Sequence, residues 1–221
     1  LASNGKINEN MPYFTSNFFD LGGQTLYVSR TGFTNELGFE IFCDGFKTDH
    51  LALWDYLIEC GKPYGMQFSA SRAMTIRRIE GGIFGNLTDI DTTITPFEAG
   101  LGYFVNMDKD FIGKDALIKK DKRTCLFGIT CKTAVPKAGS KIKINDKQVG
   151  YITAGVPSPT LQQGIGYVRF YEPNDYINKE IEMILPDNSS HTGVVVDLPF
   201  YDKQKKIVKG IDRSIPIKPD S

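Results

Sequence analysis

From Arg123 onward the sequence breaks into short runs of β-branched and aromatic residues, each bounded by turn formers. The runs are residues 125–131, 141–144, 148–154, 164–170, 180–185 and 193–196. Asn145-Asp146 separates two of them as a hairpin turn, and Pro186-Asp187-Asn188 separates another pair. About six short strands within roughly 90 residues fit a small antiparallel barrel or a sandwich and little else.

The first half reads differently. Residues 13–19 suggest a short strand, and Gly22-Gly23 a hairpin turn into a second strand at 25–29. A third β-type run, 39–42, follows a polar segment that carries Gly32 and Gly38. Alternation puts Phe39 and Ile41 on one face and Glu40 on the other. Glu40 is then either a solvated outer-face residue or an acceptor facing a pocket. Residues 47–61 read as a helix capped by Thr48 or Asp49 and ended by Gly61 and Pro63, with Leu51, Trp54, Leu57 and Ile58 as its apolar stripe. Trp54 reads as core. Residues 69–80 predict a second helix, capped by Ser69 or Ser71 and stopped by Gly81-Gly82. Ala70, Ala73, Ile76 and Ile79 would face inward, while Arg72, Arg77 and Arg78 need water or a partner. Residues 84–95 read as a solvated loop bearing Asp89 and Asp91, 103–105 as a strand, and 113–120 as a short helix that closes the first domain. The basic stretch 201–209 reads as a solvated tail.

Composition excludes several function classes. The 221 residues carry equal numbers of acidic and basic side chains, so nothing calls for nucleic acid or an acidic membrane as partner. No run reaches the roughly 18 apolar residues of a membrane span, and no signal-peptide pattern is present. Cys43, Cys60, Cys125 and Cys131 form no C-x-x-C pair and, with only His50 and His191 as histidines, predict no metal site. They read as reduced core thiols of a cytoplasmic protein. Walker A, G-x-S-x-G and H-E-x-x-H motifs are absent.

Six segments, in order, carry a resemblance. The run from Ser29 to Ile41, S-R-T-G-F-T-x-E-x-G-F-E-I, is similar to the S/A-R-T-G-Y-T-G-E-x-G-Y/F-E-I segment of the glycine-cleavage T-protein family, the aminomethyltransferases. Arg78–Ile83, Thr95–Gly102, Asp110–Leu117, Gly155–Leu161 and Leu198–Phe200 resemble later segments of the same family, the last of them its closing strand. The likeness covers roughly residues 25–202. It implies an α+β chain: residues 1–120 as the C-terminal portion of a folate-binding domain, an antiparallel sheet with helices, and 121–221 as a small antiparallel β-barrel. It implies tetrahydrofolate as cofactor and one-carbon (aminomethyl or methyl) transfer as activity. By the same resemblance Glu40 receives the pterin, Phe33 stands near the folate in place of a tyrosine, and Arg78 matches the second arginine of the family's A-R-D-x-L-R-L-E-A-G helix. Aligned without gaps, the first, folate-contacting arginine of that helix falls on Met74, with Arg72 two residues earlier. That departure points toward relatives such as the dimethylsulfoniopropionate demethylases and the C-terminal halves of dimethylglycine and sarcosine dehydrogenases. The implied partners are a small methylated amine or sulfonium donor, or a lipoyl carrier protein; one tail lysine could also meet the carboxylate tail of a folate.

The resemblance places the family's catalytic aspartate in an N-terminal part that this chain does not include. The chain reads as the C-terminal part of a longer protein, and no catalytic residue is nominated. A non-catalytic alternative is a folate-binding factor for iron–sulfur assembly, but that branch carries K-G-C-Y/F-x-G-Q-E where this chain has Lys109–Asp115. A structural domain of a flavin-linked dehydrogenase is a further alternative.

Overall fold

The computed structural model describes residues 2–8 and 10–213, which divide into two compact units. One comprises residues 2–74 with 204–213, the other residues 75–203. This division follows packing, whereas the boundary read near residue 120 follows a change in sequence pattern.

In the first unit, β1 (Ser16–Leu21), β2 (Gln24–Ser29) and β3 (Glu40–Phe42) form an antiparallel sheet in that order. Gly22 and Gly23 both take positive φ, which suits the two-residue connection of β1 to β2. Helix α1 (His50–Gly61) is capped by Asp49, whose carboxylate accepts from the Ala52 amide at 3.0 Å. Leu21, Leu26 and Val28 pack with Leu53 of α1, and Leu57 and Ile41 flank them. The helix therefore buries its Leu53–Leu57 row. Leu51, assigned inward from the sequence, is exposed. Trp54 is half-exposed and meets the edge of Phe68 at 5.5 Å.

Helix α2 (Ser71–Glu80) runs across the division. Only its last turn is buried, at Arg78, Ile79 and Glu80, so Ala70 and Ala73 lie in solvent rather than inward. After α3 (Lys114–Ile118) come β4 (Leu126–Cys131), β5 (Lys141–Ile144), β6 (Lys147–Ser158), β7 (Gln163–Phe170), β8 (Glu180–Ile184) and β9 (Ser190–Val196). They close into a barrel in the order β4-β7-β6-β5-β8-β9, sealed by the pairing of β4 with β9. The barrel resolves the choice that the sequence pattern leaves open.

Alternate residues fill its interior: Phe127, Ile129 and Cys131 from β4, Val168 and Phe170 from β7, Ile181 and Met183 from β8. The outer faces of β4 and β7 are covered too. There Leu126, Ile165 and Tyr167 pack with Ile79 of α2, and Leu198 and Phe200 join them. Residues 198–200 form no strand, contrary to the closing strand the resemblance suggests. Residues 102–104 form a 3-10 turn instead of a strand, with Tyr103 and Phe104 exposed. Of the cysteines, Cys125 and Cys131 are core residues as read; Cys43 is exposed and Cys60 half-buried.

Tyr167 joins barrel and helix. Its hydroxyl lies 3.1–3.3 Å from the carbonyls of Arg78, Ile79 and Ile83, at and just beyond the end of α2. Burial, with a smaller contribution from Asp89 and against Arg78, pushes this phenol well above its ordinary pKa. A pKa raised on folding stabilises fully below the unfolded value, about 10, and the stabilisation fades as pH rises beyond it. Tyr167→Phe is thus expected to cost about 1–2 kcal/mol in urea unfolding at pH 7, and its deficit against the native chain is expected to shrink by pH 11.

Candidate functional site

The three-stranded sheet has one face on α1 and one face open. Cross-strand pairing puts Ser16 opposite Ser29, Phe18 opposite Tyr27, Tyr27 opposite Phe42, and Ser29 opposite Glu40. Paired residues share a face, so these side chains all stand on the side away from Val28 and Ile41. Phe18, Tyr27 and Phe42 form an aromatic row with ring centroids 5.1 and 5.8 Å apart. Phe18 is 64% and Phe42 52% exposed. A groove of about 600 Å³ runs along this row, bordered also by Gln24, Asp44 and Lys47.

Glu40 lies at the other end of the same face, half-buried. Thr31 donates its hydroxyl to the Glu40 carboxylate, and Ser29 Oγ lies 2.5 Å from Thr31 Oγ1, so the three form a hydroxyl chain ending on the carboxylate. Among the described residues no cation pairs with Glu40. An ionised carboxylate accepts about four hydrogen bonds, and one is supplied here.

Two residues that the motif alone does not single out complete the surroundings. Arg30 is 1% exposed, and its backbone N–H donates to Thr15 at 2.8 Å while its carbonyl accepts from Phe14 at 3.1 Å. That pairing brings Tyr13 beside Arg30 and Glu40. Burial raises the Tyr13 phenol pKa, Arg30 opposes the shift and Glu40 adds to it. The Tyr13 hydroxyl makes no hydrogen bond among the described residues. The sequence reads Tyr13 as the start of a strand, but β1 begins at Ser16, and the backbone pairing of Phe14 and Thr15 with Arg30 places it here. Phe33, on the loop between β2 and β3, is partly exposed. Asn35 of this loop takes φ 59° where the resembling family segment has glycine; asparagine tolerates that left-handed conformation better than most residues.

Arg78 belongs to the other unit and is occupied. Its guanidinium donates to Asp89 at 2.8 Å and to the Ile83 carbonyl at 3.0 Å. Asp89 is itself buried and also accepts from Gly85 N–H and from the Thr153 hydroxyl, both at 2.7 Å. The sequence puts Asp89 in a solvated loop; the structure buries it because Arg78 neutralises it and two further donors satisfy it. Asp91 does lie at the surface, 3.4 Å from Arg169. Beside this pair, Glu80 is fully buried and accepts from Arg77, from the Ser158 hydroxyl at 2.5 Å and from Thr160 N–H at 3.1 Å. The three candidate residues therefore fall into two settings: Glu40 and Phe33 around an open face, and Arg78 in a closed ion pair. Among the described residues no three His, Cys, Asp or Glu side chains converge as a metal site.

Comparison with known proteins gives the family of both units. Residues 3–109 match the GCVT N-terminal domain and residues 122–202 the glycine cleavage T-protein C-terminal barrel domain. The chain belongs to the glycine cleavage T-protein family. It is 37% identical over 194 residues to an aminomethyltransferase of Caldanaerobacter subterraneus subsp. tengcongensis, covering 84% of this chain and 50% of that protein. It is 40% identical over 162 residues to an aminomethyltransferase of Alkaliphilus oremlandii, covering 70% and 43%. The glycine cleavage system aminomethyltransferase T of Bartonella henselae has the same fold, with a TM-score of 0.76 at 23% identity over 92% of this chain and 56% of that one. The chain thus spans about half the length of the relatives it matches.

The Arg78–Asp89 pair gives this family member a direct test of the arginine's role. Arg78→Met leaves a buried carboxylate without its cation and is expected to cost about 3–5 kcal/mol in urea unfolding. A ligand-facing surface arginine would leave stability nearly unchanged.

Proposed function

We propose that this chain carries part of the tetrahydrofolate site of a one-carbon transferase that moves an aminomethyl or methyl group. The observation that supports this reading most is Glu40: a half-buried carboxylate with, among the described residues, one hydroxyl donor and no cation, and with an aromatic row on its own face. A pterin presents neighbouring N–H donors on a flat ring. A carboxylate with free lone pairs matches the donors, and an aromatic wall matches the ring. Folate supplies the one-carbon chemistry when bound. Glu40 accepts hydrogen bonds and fixes the ring's orientation, Thr31 and Ser29 hold Glu40, and Phe33 covers the ring without the hydroxyl of the family tyrosine. Arg78 acts on the stability of the second unit rather than on the folate.

The donor is either a lipoyl carrier's aminomethyl group or a small methylated amine or sulfonium compound. Met74 departs from the glycine-cleavage helix pattern. It is 44% exposed on α2, at the position where the resembling family helix carries its folate-contacting arginine. No residue of this chain is assigned to the proton-transfer step.

Calorimetric titration with tetrahydrofolate tests the reading. The expected result is binding that Glu40→Gln weakens about tenfold to a hundredfold, the loss of a hydrogen-bonded charge, with the unfolding midpoint unchanged. Equal affinity of the two proteins would overturn the assignment of Glu40.

A further inference from the structure

Among the described residues, Arg30 is a buried cation without an anion. Among the described residues its guanidinium forms no ion pair; it donates to the Gly38 carbonyl at 3.1 Å and the Val208 carbonyl at 2.7 Å, and lies 5.3 Å from the centre of the Phe39 ring. Its Nε is buried without a protein acceptor. Burial lowers its pKa, against the neighbouring Tyr13. A buried charge answered only by carbonyls and a ring is expensive to keep. A methionine of similar length would fill the space without that cost, so the position suits a role other than packing.

The acceptors indicate the role. Gly38 is two residues before Glu40, and Phe39 is adjacent to it. Val208 belongs to the segment 204–213, which packs in the same unit as the sheet. Val208 is fully buried, and Lys205 of the same segment donates to Asn35 Oδ1 at 2.8 Å. Asn35 is buried at the strained centre of the loop that carries Phe33. The segment therefore holds the loop at two points, through Lys205 at Asn35 and through Arg30 at Val208. This contradicts the solvated tail expected from its lysines: at least Lys205 is tied to the fold.

We infer that Arg30 is a positioning residue, and that segment 204–213 is a strap which, through Arg30, fixes the 31–40 loop so that Glu40 and Phe33 stand ready on the open face. Arg30 is buried, and its guanidinium bonds backbone carbonyls of this unit. It bonds the strap to the turn before Glu40, and its fork geometry spans two carbonyls at once, which an ammonium does less well. Pre-set loops bind more tightly because less order has to be imposed on binding.

The affinity part of this inference rests on the folate reading; the ordering part does not. The test uses the full chain with Arg30→Met, Arg30→Lys and Lys205→Ala, each also combined with Glu40→Gln. Amide hydrogen exchange and tetrahydrofolate titration are the readouts. Arg30→Met is expected to speed exchange of amides 31–41 at least tenfold while β2 and α1 keep their protection. It is also expected to weaken tetrahydrofolate binding at least tenfold when Glu40 is present and less than twofold when Glu40 is already glutamine. Arg30→Lys should recover part of both effects. Lys205→Ala, which removes one strap contact and leaves the core intact, should raise the same amide rates at least threefold and serves if Arg30→Met fails to fold. Parallel loss of protection in β2 and α1, unchanged rates at 31–41, or equal losses of affinity with and without Glu40 would overturn the inference. A native chain that shows no tetrahydrofolate binding would remove the folate reading, and the exchange rates alone would then decide whether the strap orders the loop.

Discussion

Charge removed from water has to be answered inside the fold, and how it is answered separates the structural from the functional groups of this chain. At the end of α2, Arg78 meets Asp89, and Glu80 meets Arg77 together with a hydroxyl and an N–H. Each carboxylate is buried and accepts three hydrogen bonds, with Thr153 and Ser158 of β6 among the donors. Such a network fixes where the helix ends on β4, β6 and β7 and leaves both carboxylates inside the fold. Glu40 presents the opposite case. Among the described residues it has one donor and no counter-ion, and an open aromatic face lies beside it. The same residue type thus serves as a lock in one unit and as an available acceptor in the other.

The distinction explains how α2 uses its arginines. Three of its ten residues are basic, a composition that invites an anion-binding reading. Arg77 and Arg78 are instead consumed by internal carboxylates, and the helix turns them inward together with Ile79. Its end is finished by Gly82, at φ 70°, where an added Cβ would come within 2.9 Å of Pro199. Only glycine both takes that conformation without strain and leaves room for the chain that follows the barrel.

The strands were the most legible part of the sequence. Their alternation and the turn pairs Gly22-Gly23 and Asn145-Asp146 survive, but the first strand starts three residues later than read, β6 runs on to Ser158, β9 begins at Ser190, and 103–105 and 198–200 are not strands. Closure of the barrel was not legible, because it lies in the pairing of β4 with β9, two strands far apart in the chain, and alternation is identical in a sandwich. Helix faces were misread where too little covers them. Helix α1 rests on a three-stranded sheet wide enough to bury Leu53 but not Leu51 or Trp54, and α2 is covered only at its last turn. At the candidate site, Glu40 was visible through its motif, while Tyr13 and the strap were not: Tyr13 is placed by the backbone pairing of Arg30, and the strap reaches the loop through the Val208 carbonyl and a Lys205–Asn35 contact 170 residues apart in the chain. Asp89 was misplaced for a related reason, since the barrel that buries it, Thr153 included, lies far along the chain and no local pattern reveals it.

The central claim is that Glu40 and the aromatic row form one ligand-binding face. A crystal structure of the chain soaked with tetrahydrofolate tests it most directly. The account predicts the pterin lying on the face of Phe18, Tyr27 and Phe42 or under Phe33, with its N–H groups within about 3 Å of the Glu40 carboxylate. A pterin bound elsewhere, with Glu40 still engaged by Thr31 alone, would contradict it.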